Sequence, residues 1–143
     1  MERKVFQDFL LGKKLKLTKE RLAVMDEIFS YHGHFEPEIL YIRIKEAGIK
    51  ASRASVYRTL NLLVESGLVE RISRTEKSNV YEHTFGRKHH DHMICISCGD
   101  VIEFYSEKLE DVQSMICSEN DFFGMSHILE IKGRCSKCRN SSR

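Results

Sequence analysis

Residues 51–83 read ASRASVYRTLNLLVESGLVERISRTEKSNVYEH. Ser52 stands where a helix N-cap is wanted, and Val56, Leu60, Leu63 and Val64 follow at the three- and four-residue steps of a helical stripe. Gly67 ends that stripe, as a residue free to adopt a positive φ. Beyond it, LVERIS (68–73) and NVYEH (79–83) are two short alternating runs around a polar turn, the pattern of a hairpin. Upstream, Pro37 suits the first position of another helix, which carries Leu40, Ile44 and Ala47 inward and closes at Gly48. Only a few residues separate that helix from Ser52, which is helix-turn-helix spacing. Earlier still, Thr18 caps a helix with Leu22, Met25, Ile28 and Phe29 on one face and Gly33 as its stop. Three helices and a hairpin predict a winged helix over residues 1–83. TFGRK (84–88) reads as a linker.

The second half, residues 89–143, alternates strand and helix patterns. HMICI (92–96) and DVIEFY (100–105) read as strands turning at Gly99, and Leu109, Val112 and Ile116 recur at helical spacing within 106–119. SHILEIKG (126–133) reads as a last strand. The fold class expected is α+β, an N-terminal winged helix followed by a small C-terminal α/β domain.

The whole chain has 143 residues, 31% charged, with a net charge of +2. Residues 1–88 hold 17 Lys+Arg against 12 Asp+Glu, and the rest hold 6 against 9. A basic first half suits a polyanion, and an acidic, His-rich second half suits cations. The start, MERKVFQDFLLGKKLKLTKER, has no small-residue cleavage site after its short apolar stretch, so it is not read as a signal peptide. No apolar run is long enough to span a bilayer, and a cytoplasmic protein is expected.

In such a compartment, grouped cysteines point to metal rather than to disulfides. Cys95-x-x-Cys98 and Cys135-x-x-Cys138 each present two thiolates after an expected strand. Together they make a closed tetrahedral zinc site; an iron–sulfur cluster and a redox dithiol are the alternatives. Cys117 lies in the apolar helix pattern and reads as a small buried hydrophobe.

Beside the first pair runs HHDH (89–92). Successive side chains of an extended strand point to opposite faces, so His89 and Asp91 face one way and His90 and His92 the other. One stretch can then serve two metal centres. Imidazole and carboxylate suit zinc, iron(II), manganese or cobalt, and Glu82, Glu103 and Glu110 are near in sequence to complete the donor sets. His34 between helices is also read as an ordinary turn residue, and His127, alternating with Leu129 and Ile131, as a satisfied core histidine.

These motifs resemble the ferric uptake regulator family: HHDHMICISCGDVIEF (89–104), the later CSKC (135–138), and ASRASVYRTLNLLVESGLV (51–69). The resemblance runs from LKLTKER (15–21) to Cys138. It implies an N-terminal winged-helix DNA-binding domain (1–83), a hinge (84–88) and a C-terminal metal-binding dimerisation domain (89–143). It implies a structural Zn2+ on Cys95, Cys98, Cys135 and Cys138. A regulatory ion, Fe2+ or another divalent metal such as Mn2+ or Zn2+, would take His34, Glu82, His90, His92 and Glu103, with His83 as the alternative to Glu82. A further ion would take His89, Asp91, Glu110 and His127.

The family's recognition helix corresponds to residues 52–66. Ser55, Tyr57 and Arg58 stand where family members contact DNA, and Lys16 where one reaches the minor groove. Arg21 has a DNA role by the same correspondence, although TKER (18–21) lacks the proline common before that arginine. Tyr57, Arg58 and Asn61 lie off the apolar stripe, free to enter a major groove. The function implied is a metal-dependent repressor that binds a palindromic DNA operator as a homodimer, with a tetramer also possible. Zinc-sensing members carry a cysteine in the regulatory set and peroxide-sensing members an aspartate where this chain has Glu103, so the resemblance favours iron(II) over peroxide, zinc or manganese sensing. A zinc-dependent hydrolase would need an open ligand position and a general base, and a metal-storage module would leave the winged helix unused.

Overall fold

The computed structural model describes residues 1–75 and 78–141, with side chains described outside residues 73–78. Two compact units result, Met1–Lys88 and a second that begins at His89. No helix among the described residues is long and apolar enough to cross a membrane.

The first unit runs α1 (Glu2–Gly12), α2 (Lys19–Ser30), α3 (Pro37–Glu46), α4 (Arg53–Glu65), β1 (Val69–Thr75) and β2 (Ser78–His83). Thr18 accepts a hydrogen bond from the Arg21 backbone N–H at 3.3 Å, and Ser52 one from Ser55 at 3.1 Å, so both expected N-caps form. Gly67 takes φ 74° and lets the Leu68 N–H reach back to the Leu63 carbonyl at 3.1 Å, which closes α4. The stripe of α4 buries Val56, Leu60 and Leu63 completely, with Thr59 beside them. Ala47 is exposed rather than inward, because α3 has already ended at Glu46.

Helix α1 was not among the expected elements. It has no side-chain cap at Met1; Phe6 and Leu10 are fully buried in the core of the unit, and Phe9, at helical spacing with them, is partly buried beside them. β1 and β2 pair antiparallel, from Val69 opposite His83 to Thr75 opposite Ser78. The polar turn expected between them falls partly on residues 76 and 77, outside the described residues. A third, single-residue strand joins this wing: Phe35 and Tyr81 exchange backbone hydrogen bonds of 2.9 and 2.8 Å.

The second unit contains β3 (Asp91–Cys95), β4 (Val101–Phe104), α5 (Glu107–Glu119), β5 (Glu130–Gly133) and α6 (Ser136–Asn140). β3 lies between β4, antiparallel, and β5, parallel. The last strand is shorter than the pattern 126–133 suggests; residues 122–129 are irregular. The stripe of α5 is real, but it buries no side chain within the chain: Val112, Met115 and Ile116 are about half exposed. Cys117 is likewise only partly buried.

Candidate metal centres and DNA-reading helix

The four paired cysteines come together. Cys95 ends β3, Gly99 turns at φ 76° and the Gly99 N–H reaches the Cys95 carbonyl at 2.8 Å, which folds the first knuckle. Cys135 caps α6 and Cys138 lies within it. One sulfur from each residue lies within 4.8 Å of all the others. Cys98 and Cys135 have sulfurs 3.8 Å apart, and a zinc bound tetrahedrally at about 2.3 Å from each sulfur requires a separation of roughly 3.8 Å. The Cys135 N–H points at the Cys95 sulfur at 3.4 Å. That bond, with those from the Cys98 and Ser97 N–H groups, lowers the Cys95 thiol to about 6. Cys98 moves the other way, to about 12: the Asp100 N–H favours its thiolate, but the Cys95 sulfur, burial and the Cys138 and Cys135 sulfurs together outweigh it. Cys138 is raised as well, chiefly by Cys135. Near neutrality Cys98 and Cys138 therefore keep protons that a bound cation must replace, beside a Cys95 already poised as thiolate.

The second cluster gathers His89, Asp91, Glu110 and His127. His89 and Asp91 leave one face of the chain entering β3, Glu110 comes from the first turn of α5, and His127 from the irregular segment before β5. His89 Nε2 lies 3.5 Å from Asp91 Oδ1 and 3.4 Å from Glu110 Oε1, and His127 Nε2 lies 3.4 and 3.5 Å from the same two oxygens. Four ligands at roughly 2.0–2.1 Å from one tetrahedral ion sit about 3.3–3.4 Å apart. The buried atoms Glu110 Oε1 and His127 Nε2 are within ion-pair distance of their neighbours, yet neither has a partner in hydrogen-bond geometry. Asp91, almost fully buried, also leaves its Oδ2 without a partner. Buried carboxylates and imidazoles that converge without bonding each other fit a shared ion.

The remaining expected ligands divide between the units. In the first, the Phe35–Tyr81 bridge sets His34 opposite Glu82, and His34 Nε2 lies 3.4 Å from Glu82 Oε2. Glu82 is wholly buried and also accepts a hydrogen bond from Arg87 Nη1 at 2.6 Å. His83, next along β2, faces away from it and stacks on Phe29 at 5.2 Å between ring centroids. Burial, the Arg87 charge and His32 keep the His83 imidazole below its ordinary range. In the second unit, His92 is paired directly across the ladder with Glu103. His90 turns to the same side, its ring 5.0 Å from His92 and its Nε2 3.8 Å from Glu103 Oε1.

Arg87, which pairs with the buried Glu82, was not singled out from the sequence. It lies in 84–88, where the Arg87 N–H bonds the Thr84 carbonyl at 3.1 Å to form a turn and Phe85 packs on the core.

On the outer face of α4, Tyr57, Arg58 and Asn61 are exposed and Ser55 is half-buried. The Tyr57 hydroxyl reaches Glu38 of α3 at 3.5 Å, Ser55 bonds Glu20 of α2 at 3.3 Å, and Arg58 Nε bonds the Ala54 carbonyl at 3.3 Å. Lys16 is exposed just before α2, and its carbonyl accepts from Arg21. Tyr57, Arg58 and Asn61 thus give a polar outer face to α4, the helix that a winged helix presents to a major groove.

That helix and these donor sets stand in one chain, whose residues 12–132 match the ferric uptake regulator family. The chain belongs to the ferric uptake regulator family. It is a regulator, not an enzyme. The ferric uptake regulation protein of Campylobacter upsaliensis is 37% identical over 140 residues, which cover 96% of this chain and 89% of that one. The ferric uptake regulator of Pseudomonas aeruginosa, solved with manganese, has a TM-score of 0.77 at 32% identity, over 89% of this chain and 95% of that one. That of Helicobacter pylori, described as having three functional metal binding sites, has a TM-score of 0.73 at 28% identity, over 94% of this chain and 89% of that one. The winged helix and the following α/β unit are thus the architecture of ferric uptake regulators.

Proposed function

We propose that this protein is a metal-dependent transcriptional repressor that binds a palindromic operator as a homodimer, and that iron(II) is the ion it senses. The observation that carries the reading is the pair of incomplete donor sets, His34 with Glu82 in one unit and His90, His92 and Glu103 in the other. Neither set alone fills the coordination sphere of a divalent ion, and one ion drawing on both ties the DNA-binding unit to the second. Glu82 rather than His83 is assigned to it, because His83 is stacked against Phe29. The all-nitrogen-and-oxygen set suits iron(II) and manganese as well as zinc, so availability in the cell selects among them. The cysteines would hold a structural zinc, and His89, Asp91, Glu110 and His127 a further ion.

Lys16, Arg21, Ser55, Tyr57 and Arg58 are the residues assigned to DNA. The half-exposed stripe Val112, Met115 and Ile116 supports self-association through α5, since an apolar face of that kind is covered in most soluble proteins. Joining the units fixes the two recognition helices of a dimer at one spacing, which is what a palindrome requires. Moving such an equilibrium from mostly open to mostly closed takes roughly 5.5 kcal/mol of differential metal affinity. The test is anaerobic DNA binding across titrations of iron(II), manganese and zinc. Tight binding only with the histidine-containing sites filled is expected. Equal affinity after a chelator has stripped those sites, with the cysteine zinc kept, sinks the proposal.

A further inference from the structure

We propose that Arg87 is a built-in competitor for the ion at Glu82: its guanidinium holds the carboxylate when metal is absent and must leave for metal to bind. The inference rests on the proposed role of Glu82 as a ligand. Two groups converge on the same oxygen, Glu82 Oε2, with Arg87 Nη1 at 2.6 Å and His34 Nε2 at 3.4 Å. The carboxylate is completely buried, and an ionised carboxylate removed from water is costly unless a counter-charge accompanies it. Arg87 supplies one that cannot be titrated away, since a guanidinium stays protonated at any ordinary pH.

A divalent ion brings more charge to the same place. Bound at roughly 2.0–2.2 Å from Oε2, it would stand against a guanidinium nitrogen that is itself 2.6 Å from that oxygen. Two cations on one buried carboxylate repel each other strongly in surroundings of low dielectric. Binding is therefore an exchange of Arg87 for metal rather than the filling of an empty charge. Glu82 is neutralised in both states, so the first unit stays folded without the ion, and the cost of displacing Arg87 raises the metal concentration at which the site fills. Arg87 belongs to the turn that leaves β2, with Gly86 at φ 75° beside it. The exchange thus also frees this segment from its anchor on Glu82.

The test is manganese binding, read by the electron paramagnetic resonance of free manganese, on full-length protein with zinc on its cysteines. R87Q is expected to bind manganese at this site about tenfold more tightly than the parent, the size of change that groups beside a metal ligand bring. R87K, which keeps a charge but not the fork, is expected to fall between the two. In thermal melts without manganese, R87Q should unfold below the parent, and saturating manganese should close that gap. E82Q should lose one manganese per chain. An unchanged or weaker affinity in R87Q, with E82Q losing its ion, overturns the competition and leaves Arg87 a support of the bound state. Full manganese stoichiometry in E82Q overturns the ligand assignment itself, and the inference falls with it. If R87Q does not fold without metal, R87K decides: an affinity equal to the parent or weaker overturns the competition.

Discussion

Between Met1 and Lys88, fully buried apolar side chains from every helix, among them Phe6, Ile28, Ile44 and Leu60, meet in a single core. From His89 onward the buried side chains among the described residues are Ile94 and Cys95, together with the polar Asp91 and His92. The first unit is held by the removal of apolar surface from water. The second has little of that, and gathers instead donor atoms that could hold a cation. It also leaves its apolar helix face outward. The first kind of unit has a core of its own to hold its shape, whereas the second has few buried apolar side chains beside its clustered donors.

The largest effect that can break this contrast is removal of the cysteine-bound ion. Structural zinc contributes on the order of 10 kcal/mol to the folding of such a unit. C138S, or a strong chelator, should expose the backbone from β3 to α6 to rapid hydrogen exchange while α2 and α4 stay protected. Equal protection in both units would show that the second unit has a sufficient core of its own. The same ion should be lost as pH falls. Cys98, at about 12, and Cys138, also raised, carry protons near neutrality in the metal-free state, so zinc competes with protons and its affinity rises with pH. Zinc transfer to a coloured chelator at several pH values measures this, and a flat profile contradicts it.

Next in size, L60A or I44A should cost about 2–5 kcal/mol by leaving a cavity in the first core. Melts with and without metal should show the same loss, because neither residue touches a donor set. D91N is expected to weaken the ion shared with His89, Glu110 and His127 at least about tenfold, with the cysteine zinc retained on metal analysis. Loss of both ions together would mean that the two centres of the second unit are one cooperative system. The smallest change is S52A, which removes the cap of α4 at roughly 1 kcal/mol. Its melting temperature should drop slightly and identically with or without metal.

Much of this was legible because the relevant rules are short-ranged. The cap at Ser52, the stripe of α4 and the knuckle at Cys95 and Cys98 each span only a few residues, and all appear as expected. Strand alternation alone separated His89 and Asp91 from His90 and His92, and the two pairs do turn to different partners. Helix α1 is not marked by a capping side chain at its start, although Phe6, Phe9 and Leu10 recur there at helical spacing. The strand before Cys135 is shorter than its alternating run, since such a run does not reveal where a neighbouring strand stops pairing with it.

From the sequence alone came the donor types, their grouping, and the helix-turn-helix with its polar outer face, because side-chain chemistry and backbone periodicity are properties of neighbours along the chain. Only the tertiary structure decided that the Phe35–Tyr81 bridge sets His34 beside Glu82, that Glu110 and His127 converge on Asp91, that Arg87 holds Glu82, and that α5 turns its stripe outward. Those pairings depend on register and packing between segments far apart in the chain, where no periodicity carries information from one to the other.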